Sequence, residues 1–260
     1  MDRVKTAVIL AAGMGSRLYD VTDDAMPKGF LEVNGKSLVE RSIEKLRSIG
    51  IEKIYIVTGH LSQYYDELAE KYNYIETKRN RRYRTTGSMT SLAILENELK
   101  EDFLLLESDL IYEVYGLMKT SMYEKPDCVL LSGKTNSGDE CYVEVRDNNL
   151  YKISKDINEI NEVYGELVGI SKISVDLYKA MIKEYRKFMD NLKYSEEDKE
   201  SEYKAKNKYD YESAIFDAAK HRKVGFLKID NLLWGEIDDR SQLERVKSVI
   251  LPRIEKININ

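Results

Sequence analysis

The stretch TAVILAAGMGSRL, residues 6–18, decides how this chain is read. Its first six residues form a nearly continuous apolar run, the pattern of a strand covered on both faces in a parallel sheet. The run breaks into a glycine loop. Gly13 and Gly15 free the backbone to turn tightly, and consecutive N–H groups in such a turn point inward as an anion-binding nest. Ser16 adds a hydroxyl donor, and Arg17 adds a forked, permanent charge suited to phosphate oxygens. Two common phosphate loops are excluded. No Gly-Lys-Ser/Thr follows, so the loop is not of the Walker A type. A third glycine is missing, and the second strand ends in Val57-Thr58-Gly59 with no acid for a ribose. The dinucleotide fingerprint of an NAD-dependent oxidoreductase therefore fails. Taken alone, the GxG is also compatible with a plain tight turn.

Strand and helix patterns alternate on the C-terminal side of the loop. Leu38, Val39, Ile43 and Leu46 repeat at helical spacing, with Gly50 as a C-terminal cap. KIYIVTG (53–59) reads as a strand, 63–72 as a helix and 74–77 as a short strand. Residues 88–99 read as a helix with Met89, Leu92, Leu95 and Leu99 inward. FLLLESD (103–109) is a strand ending in carboxylates, 114–123 a short helix and 128–131 a strand. This alternation predicts an α/β fold, a Rossmann-like, doubly wound, mostly parallel sheet. The second half changes character: a hairpin signal flanks residues 146–149, 167–173 reads as a strand and 175–189 as a long helix. Residues 194–208 are charge-dense with few apolar anchors, an exposed helix or a mobile excursion. A helix over 211–219, a strand over 224–229 and a helix over 241–251 follow, and the tail IEKININ has no anchoring pattern. The whole reads as a single domain over 1–260. Residues 1–132 mainly bind nucleotide, 133–230 form a smaller acceptor-binding subdomain, and 231–260 carry a late acid and the last helix.

Composition narrows the function. The 260 residues carry 41 Lys plus Arg against 46 Asp plus Glu, a net charge of −5, so the basic surplus of a general nucleic-acid binder is missing. One local basic cluster, KRNRRYR at 78–84, is either a solvated turn or a local field for an anionic ligand. Cys128 and Cys141 match no metal spacing and read as buried strand thiols. With no signal-peptide pattern and no apolar run of the ~20 residues that span a bilayer, the expectation is a cytoplasmic protein without a membrane partner. Oligomeric state leaves no trace in the sequence.

Downstream, MPKGFLEVNGKSLVE (26–40) sets Lys28 behind Pro27. The proline fixes its own φ and holds its predecessor extended, a rigid stem for aiming an ammonium at phosphate. With this second motif, the chain resembles the sugar-nucleotide pyrophosphorylase and cytidylyltransferase superfamily, whose opening is an LAAGxGxRL loop, a PK pair and a GKP turn. Ser37 departs from that proline, and DDAMPK (23–28) departs from the usual acidic pair. Within the superfamily the chain looks most like the 2-aminoethylphosphonate cytidylyltransferase and bacterial phosphocholine cytidylyltransferase group. The likeness runs through the whole chain and is strongest over 7–109.

The resemblance implies a nucleotidyl transfer. Leu10, Ala11, Ala12, Gly13, Met14, Gly15, Ser16 and Arg17 would hold the phosphates of CTP, and Lys28 would clamp charge on the α-phosphate or acceptor. Asp109, at the C-terminal end of a strand where open sheets face their ligands, matches the family's metal-binding aspartate. Asp238 in WGEIDD matches its late second one, with Asp239 left to cap the following helix. Mg2+ is the implied cofactor; Glu107 and Glu236 alternate with these acids and are secondary candidates. Thr86, Gly87 and Ser88 open a helix beside the nucleobase, where related choline enzymes are Asn-rich. His60 is a loop residue near the same crevice, and His221 sits in a charged turn. For the acceptor, the candidates are Lys134, Glu166, Asp210, Tyr211 and Glu212. 2-Aminoethylphosphonate is favoured, with phosphocholine or another small phosphate or sugar 1-phosphate as alternatives. The phosphonate enzymes can be joined to a transaminase domain; nothing within these residues reveals one. A non-catalytic nucleotide-binding domain would be expected to lack Lys28 or a metal acid, and all are present.

Overall fold

A computed structural model describes residues 4–22, 25–193 and 208–259. Asp23 and Asp24, and the charge-dense segment except Lys208, lie outside the described residues. Strands and helices alternate first: β1 (Thr6–Ala11), α1 (Leu38–Ser48), β2 (Lys53–Thr58), α2 (Gln63–Lys71), β3 (Ile75–Arg79), α3 (Ser88–Ala93) and β4 (Phe103–Glu107). Next come β5 (Leu110–Tyr112), α4 (Val114–Ser121), β6 (Cys128–Ser132), the hairpin β7 (Tyr142–Arg146) and β8 (Asn149–Ser154), β9 (Gly165–Ile173) and α5 (Val175–Lys193). The chain closes with α6 (Tyr211–Ala219), β10 (Phe226–Ile229), β11 (Trp234–Glu236), α7 (Arg240–Arg245) and α8 (Leu251–Ile259).

One nine-stranded sheet runs β8-β7-β9-β4-β1-β2-β3, with β6 beside β9 and β10 beside β6. Strands β4, β1, β2 and β3 are parallel, as the alternation of strands and helices predicts. Strand β9 runs antiparallel to β4, β6 and β7, so the second half of the chain extends the same sheet. The apolar run of β1 is explained by burial on two faces. Val8 and Leu10 enter one core, with Met89, Leu177 and Phe216; Ala7, Ile9 and Ala11 enter the other, with Ile43, Leu46 and Ile170. Register sets Ala11 opposite Thr58 and Leu10 opposite Glu107, so the loops after β1, β2 and β4 open on one edge.

Local signals account for most elements. Ser37, the departure from the family's proline, caps α1: its hydroxyl accepts the Glu40 N–H, and the Glu40 carboxylate accepts the Ser37 N–H, both at 3.3 Å. Such a box stabilises a helix by about 1 kcal/mol. The β7–β8 hairpin turns on Asp147 and Asn148, both left-handed (φ 48° and 53°), the geometry of a two-residue turn.

Four expectations are corrected. Helix α3 ends at Ala93; the chain then tightens into i→i−3 turns, such as Leu95 N to Leu92 O, that keep Leu95 and Leu99 buried. The 103–109 run stops at Glu107, because Leu110–Tyr112 leaves the main sheet to pair with β11, and Asp109 lies in the turn between. Cys141 precedes β7 rather than lying in it, and is half-buried. The tail IEKININ is anchored through Ile254, which joins Ile250 and Leu251 of the expected last helix in a third core with Leu18, Leu38 and Leu243. The helix widens to a π turn over Val246–Ile250 ahead of Pro252, which cannot donate to the carbonyl four residues back. No helix among the described residues is long and apolar enough to cross a membrane.

Candidate functional site

A cleft of about 520 Å³ opens on the edge where β1, β2 and β4 end. Its wall brings together Leu10, Ala11, Ala12, Gly13, Met14, Gly15, Ser16, Arg17, Lys28, Thr86, Gly87, Ser88, Asp109, Asp210, Tyr211, Glu212 and Asp238. Tyr83 and Arg84 of the basic cluster also line it, while Lys78 is engaged by Glu76 and Glu98. His60 is buried beside Tyr83, ring centroids 6.0 Å apart, and lies outside the wall.

Lys28 is the centre of this arrangement. Its ammonium donates to Asp109 Oδ2 and to Asp238 Oδ1, binding a residue after β4 to one after β11. Burial alone would lower its pKa, but the two carboxylates outweigh that and raise it. Gly15, left-handed at φ 62°, makes room: a Cβ there would stand 3.0 Å from Lys28 Cγ. Gly13 has open space around it and no left-handed φ, so of the two glycines only Gly15 is required by backbone geometry. Arg17 reaches Asp238 Oδ2 at 2.5 Å and Asp139 Oδ2 at 3.3 Å, and Lys155 reaches Asp139 Oδ1 at 2.9 Å. Asp239 accepts the Gln242 N–H at 2.9 Å and caps α7, as read, while Asp238 faces Lys28.

Carboxylates crowd behind Lys28. Oxygens of Glu107, Asp109 and Glu236 lie within 4.8 Å of one another, as do those of Asp139, Glu236 and Asp238. Burial, then the Asp109 charge, pushes Glu107 up to about 7 and Glu236 up to about 10. Asp238 goes the other way. Burial pushes it up, but its hydrogen bond with Glu236 and the charges of Lys28 and Arg17 hold it down at about 2. Asp109 Oδ1 is buried without a hydrogen-bond partner. Hard oxygen donors, one of them orphaned, with neighbours pressed towards protonation, fit a divalent cation such as Mg2+.

The helix-opening residues Thr86, Gly87 and Ser88 are clasped by the chain entering α6. Asp210, at the N-cap position of α6, makes no side-chain bond to its own helix. Its Oδ1 accepts instead from the Ser88 N–H (2.9 Å) and hydroxyl (3.1 Å). In turn the Ser88 hydroxyl accepts the Tyr211 N–H (2.9 Å), and the Tyr209 carbonyl accepts the Met89 N–H (3.1 Å). Tyr211 donates its hydroxyl to Glu107 Oε1 at 2.6 Å.

A smaller recess of about 70 Å³ adjoins the cleft, sharing Glu107, Lys155 and Glu212 and adding Asp139, Trp234, Glu236 and Arg245. Glu212 Oε2 is buried without a partner, and burial together with Glu107 raises the Glu212 pKa well above the ordinary range. Two acceptor candidates stand apart. Lys134 is exposed and lines neither space. Glu166, on β9, is buried and accepts the Thr135 N–H (3.0 Å), a turn-holding contact. Sequence reasoning missed Asp139 and Lys155. Arg17 and Asp139 are 122 residues apart, and no local pattern links them.

A family model, the MobA-like NTP transferase domain, matches residues 7–134. The chain is 26% identical over 254 residues to CTP:phosphoglutamine cytidylyltransferase of Campylobacter jejuni, covering 92% of this chain and 97% of that protein. It is 37% identical over 99 residues to choline-phosphate cytidylyltransferase of Streptococcus pneumoniae, covering 38% of this chain and 42% of that one. Among solved structures, the inositol-1-phosphate CTP transferase of T. maritima superposes with a TM-score of 0.77 at 21% identity, covering 99% of this chain and 97% of the other.

Proposed function

We propose, from the chain's membership of the nucleotidyltransferase superfamily, that it is a cytidylyltransferase that moves CMP from CTP to a phosphonate oxygen of 2-aminoethylphosphonate and releases pyrophosphate. One observation carries the acceptor class. Arg17 and Lys28 stand beside the glycine loop, and Glu212, a half-buried carboxyl with an unpartnered oxygen, lies where the cleft and the recess meet. That polarity suits a small molecule with an oxyanion at one end and an ammonium at the other. CTP itself is favoured by the likeness to named CTP-using enzymes.

The acceptor oxyanion attacks the α-phosphorus in line, the bond to the β-phosphate oxygen breaks, and the electron pair leaves with pyrophosphate. No nucleophilic side chain is needed, so the protein's work is alignment and charge neutralisation. The glycine loop, Ser16 and Arg17 hold the β- and γ-phosphates; Lys28 stabilises charge on the α-phosphate and the incoming oxygen. Asp109 and Asp238, assisted by Glu107 and Glu236, would hold Mg2+, which supplies Lewis-acid neutralisation of the phosphate oxygens. Tyr211 fixes Glu107, and Glu212 offers an acceptor oxygen to the ammonium.

A second reading, phosphocholine, is favoured by Trp234 in the recess, since aromatic rings suit a quaternary ammonium. The unpartnered Glu212 oxygen speaks for a primary amine, which can donate a hydrogen bond where a quaternary one cannot. Pyrophosphate release from CTP, UTP, ATP and GTP with 2-aminoethylphosphonate, phosphocholine and sugar 1-phosphates decides. Turnover is expected with CTP and the phosphonate; turnover with phosphocholine alone, or only with sugar phosphates, overturns the acceptor assignment.

A further inference from the structure

The clasp between the chain entering α6 and the start of α3 joins the two halves of the cleft. Residues 209–212 come from the acceptor half, yet Asp210 and Tyr209 bind the backbone at Ser88 and Met89. The approach is close: a Cβ on Gly87 would stand 2.5 Å from the Tyr209 carbonyl oxygen. An aspartate at an N-cap normally binds its own helix; this one is turned to another, and its neighbour Tyr211 holds Glu107 in the acid cluster. With the phosphates beside Arg17 and Lys28 and the acceptor towards Glu212, the nucleoside end of the ligand takes the remaining wall of the cleft. The wall there is Tyr83, Thr86, Gly87 and Ser88.

We propose that Asp210 is a positioning residue for the nucleoside. By holding the Ser88 N–H and hydroxyl, it sets the 86–88 turn against which the nucleoside packs, so that nucleotide affinity depends on a residue from the acceptor half. The inference rests on the nucleotidyltransferase reading and adds to it a residue that acts through another. The Ser88 N–H lies at a helix start, where it has no intrahelical acceptor. Without Asp210 the turn is free to reorient towards water.

The test is CTP affinity measured calorimetrically with Mg2+ and no acceptor, followed by steady-state kinetics. Asp210→Ala is expected to weaken CTP binding and raise the KM for CTP roughly tenfold, the weight of one hydrogen bond to a charged acceptor. The turnover number at saturating CTP should stay within about threefold. Asp210→Asn keeps the accepting oxygen and should restore most of the affinity, a rescue that a direct charge contact with the ligand would not show. Ser88→Ala removes the hydroxyl side of the clasp, and its effect should not add to that of Asp210→Ala. Equal CTP affinity in wild type and Asp210→Ala overturns the inference, as does an asparagine variant no better than alanine. Failure of the wild type to bind any nucleoside triphosphate sinks the functional reading instead.

Discussion

Replacing Lys28 with methionine tests the centre of the site. The side chains of Lys28, Asp109 and Asp238 are only 14%, 13% and 10% exposed, so solvent screens the triad weakly. At an effective dielectric near 20, each ion pair contributes about 4 kcal/mol of attraction at ~4 Å. Two pairs give about 8 kcal/mol gross. Several kcal/mol are recovered because the ammonium no longer has to be desolvated, leaving a net loss of about 3–5 kcal/mol, the usual result of orphaning a buried charge. For a chain of this size that is a fall in Tm of about 6–20 °C. Methionine keeps the length of the stem, so the space beside Gly15 stays filled. The assay is thermal unfolding in EDTA and again in millimolar Mg2+, with pyrophosphate release in parallel. Melting should drop sharply in EDTA and recover in part with Mg2+, because the orphaned carboxylates gain a cation; catalysis should fall by about 10³-fold, the loss expected for one preorganised stabiliser. An EDTA melting point within 2 °C of wild type, or retained activity, would refute the reasoning.

Three further outcomes follow from the same geometry. Asp109→Asn should fold and bind the nucleotide but abolish pyrophosphate release; wild-type-like turnover removes Asp109 from the metal set. Gly87→Ala has an acceptable φ of −82° yet drives its Cβ into Tyr209 backbone, so it should cost about 1–3 kcal/mol and weaken CTP binding as Asp210→Ala does. A urea titration indistinguishable from wild type would contradict the close approach. Lys45 donates to the Tyr112 carbonyl at 2.6 Å, and burial, then Arg41, pushes it down to about 8. Because the unfolded chain keeps its lysine protonated to about pH 10, it binds more protons than the native state between pH 8 and 10, and stability from this group rises across that window. Lys45→Met should flatten the rise, worth about 3 kcal/mol by the size of the shift; the same slope in both proteins would exclude Lys45 as its source.

The alternating half of the fold was legible because its signals are local. Five consecutive apolar residues with no polar face, Ala7–Ala11, can only sit where both sides are covered, and Ser37 with Glu40 marks a helix start within four residues. Lys28, Asp109 and Asp238 were also legible, since each stands in a short motif. The misread elements depended on partners far away. The tail IEKININ carries no regular pattern, but its Ile254 joins Ile250 and Leu251 against Leu18 and Leu38 across the chain. Leu110–Tyr112 leaves the main sheet because Trp234–Glu236 is there to pair with it.

By itself, then, the sequence determined the sheet, the glycine loop that lines the cleft and the identity of the charged residues, because backbone propensity and residue chemistry act over a few neighbours. Only the tertiary structure decided what each charge does. Asp210 and Glu166 read as ligand contacts in sequence; folded, one holds Ser88 and the other Thr135. Glu107 and Glu236 were secondary acids in sequence; folded, burial beside Asp109 raises them out of the ordinary carboxylate range. A carboxylate's role depends on its desolvation and on the donors within about 3 Å, and residues a hundred positions apart supply both.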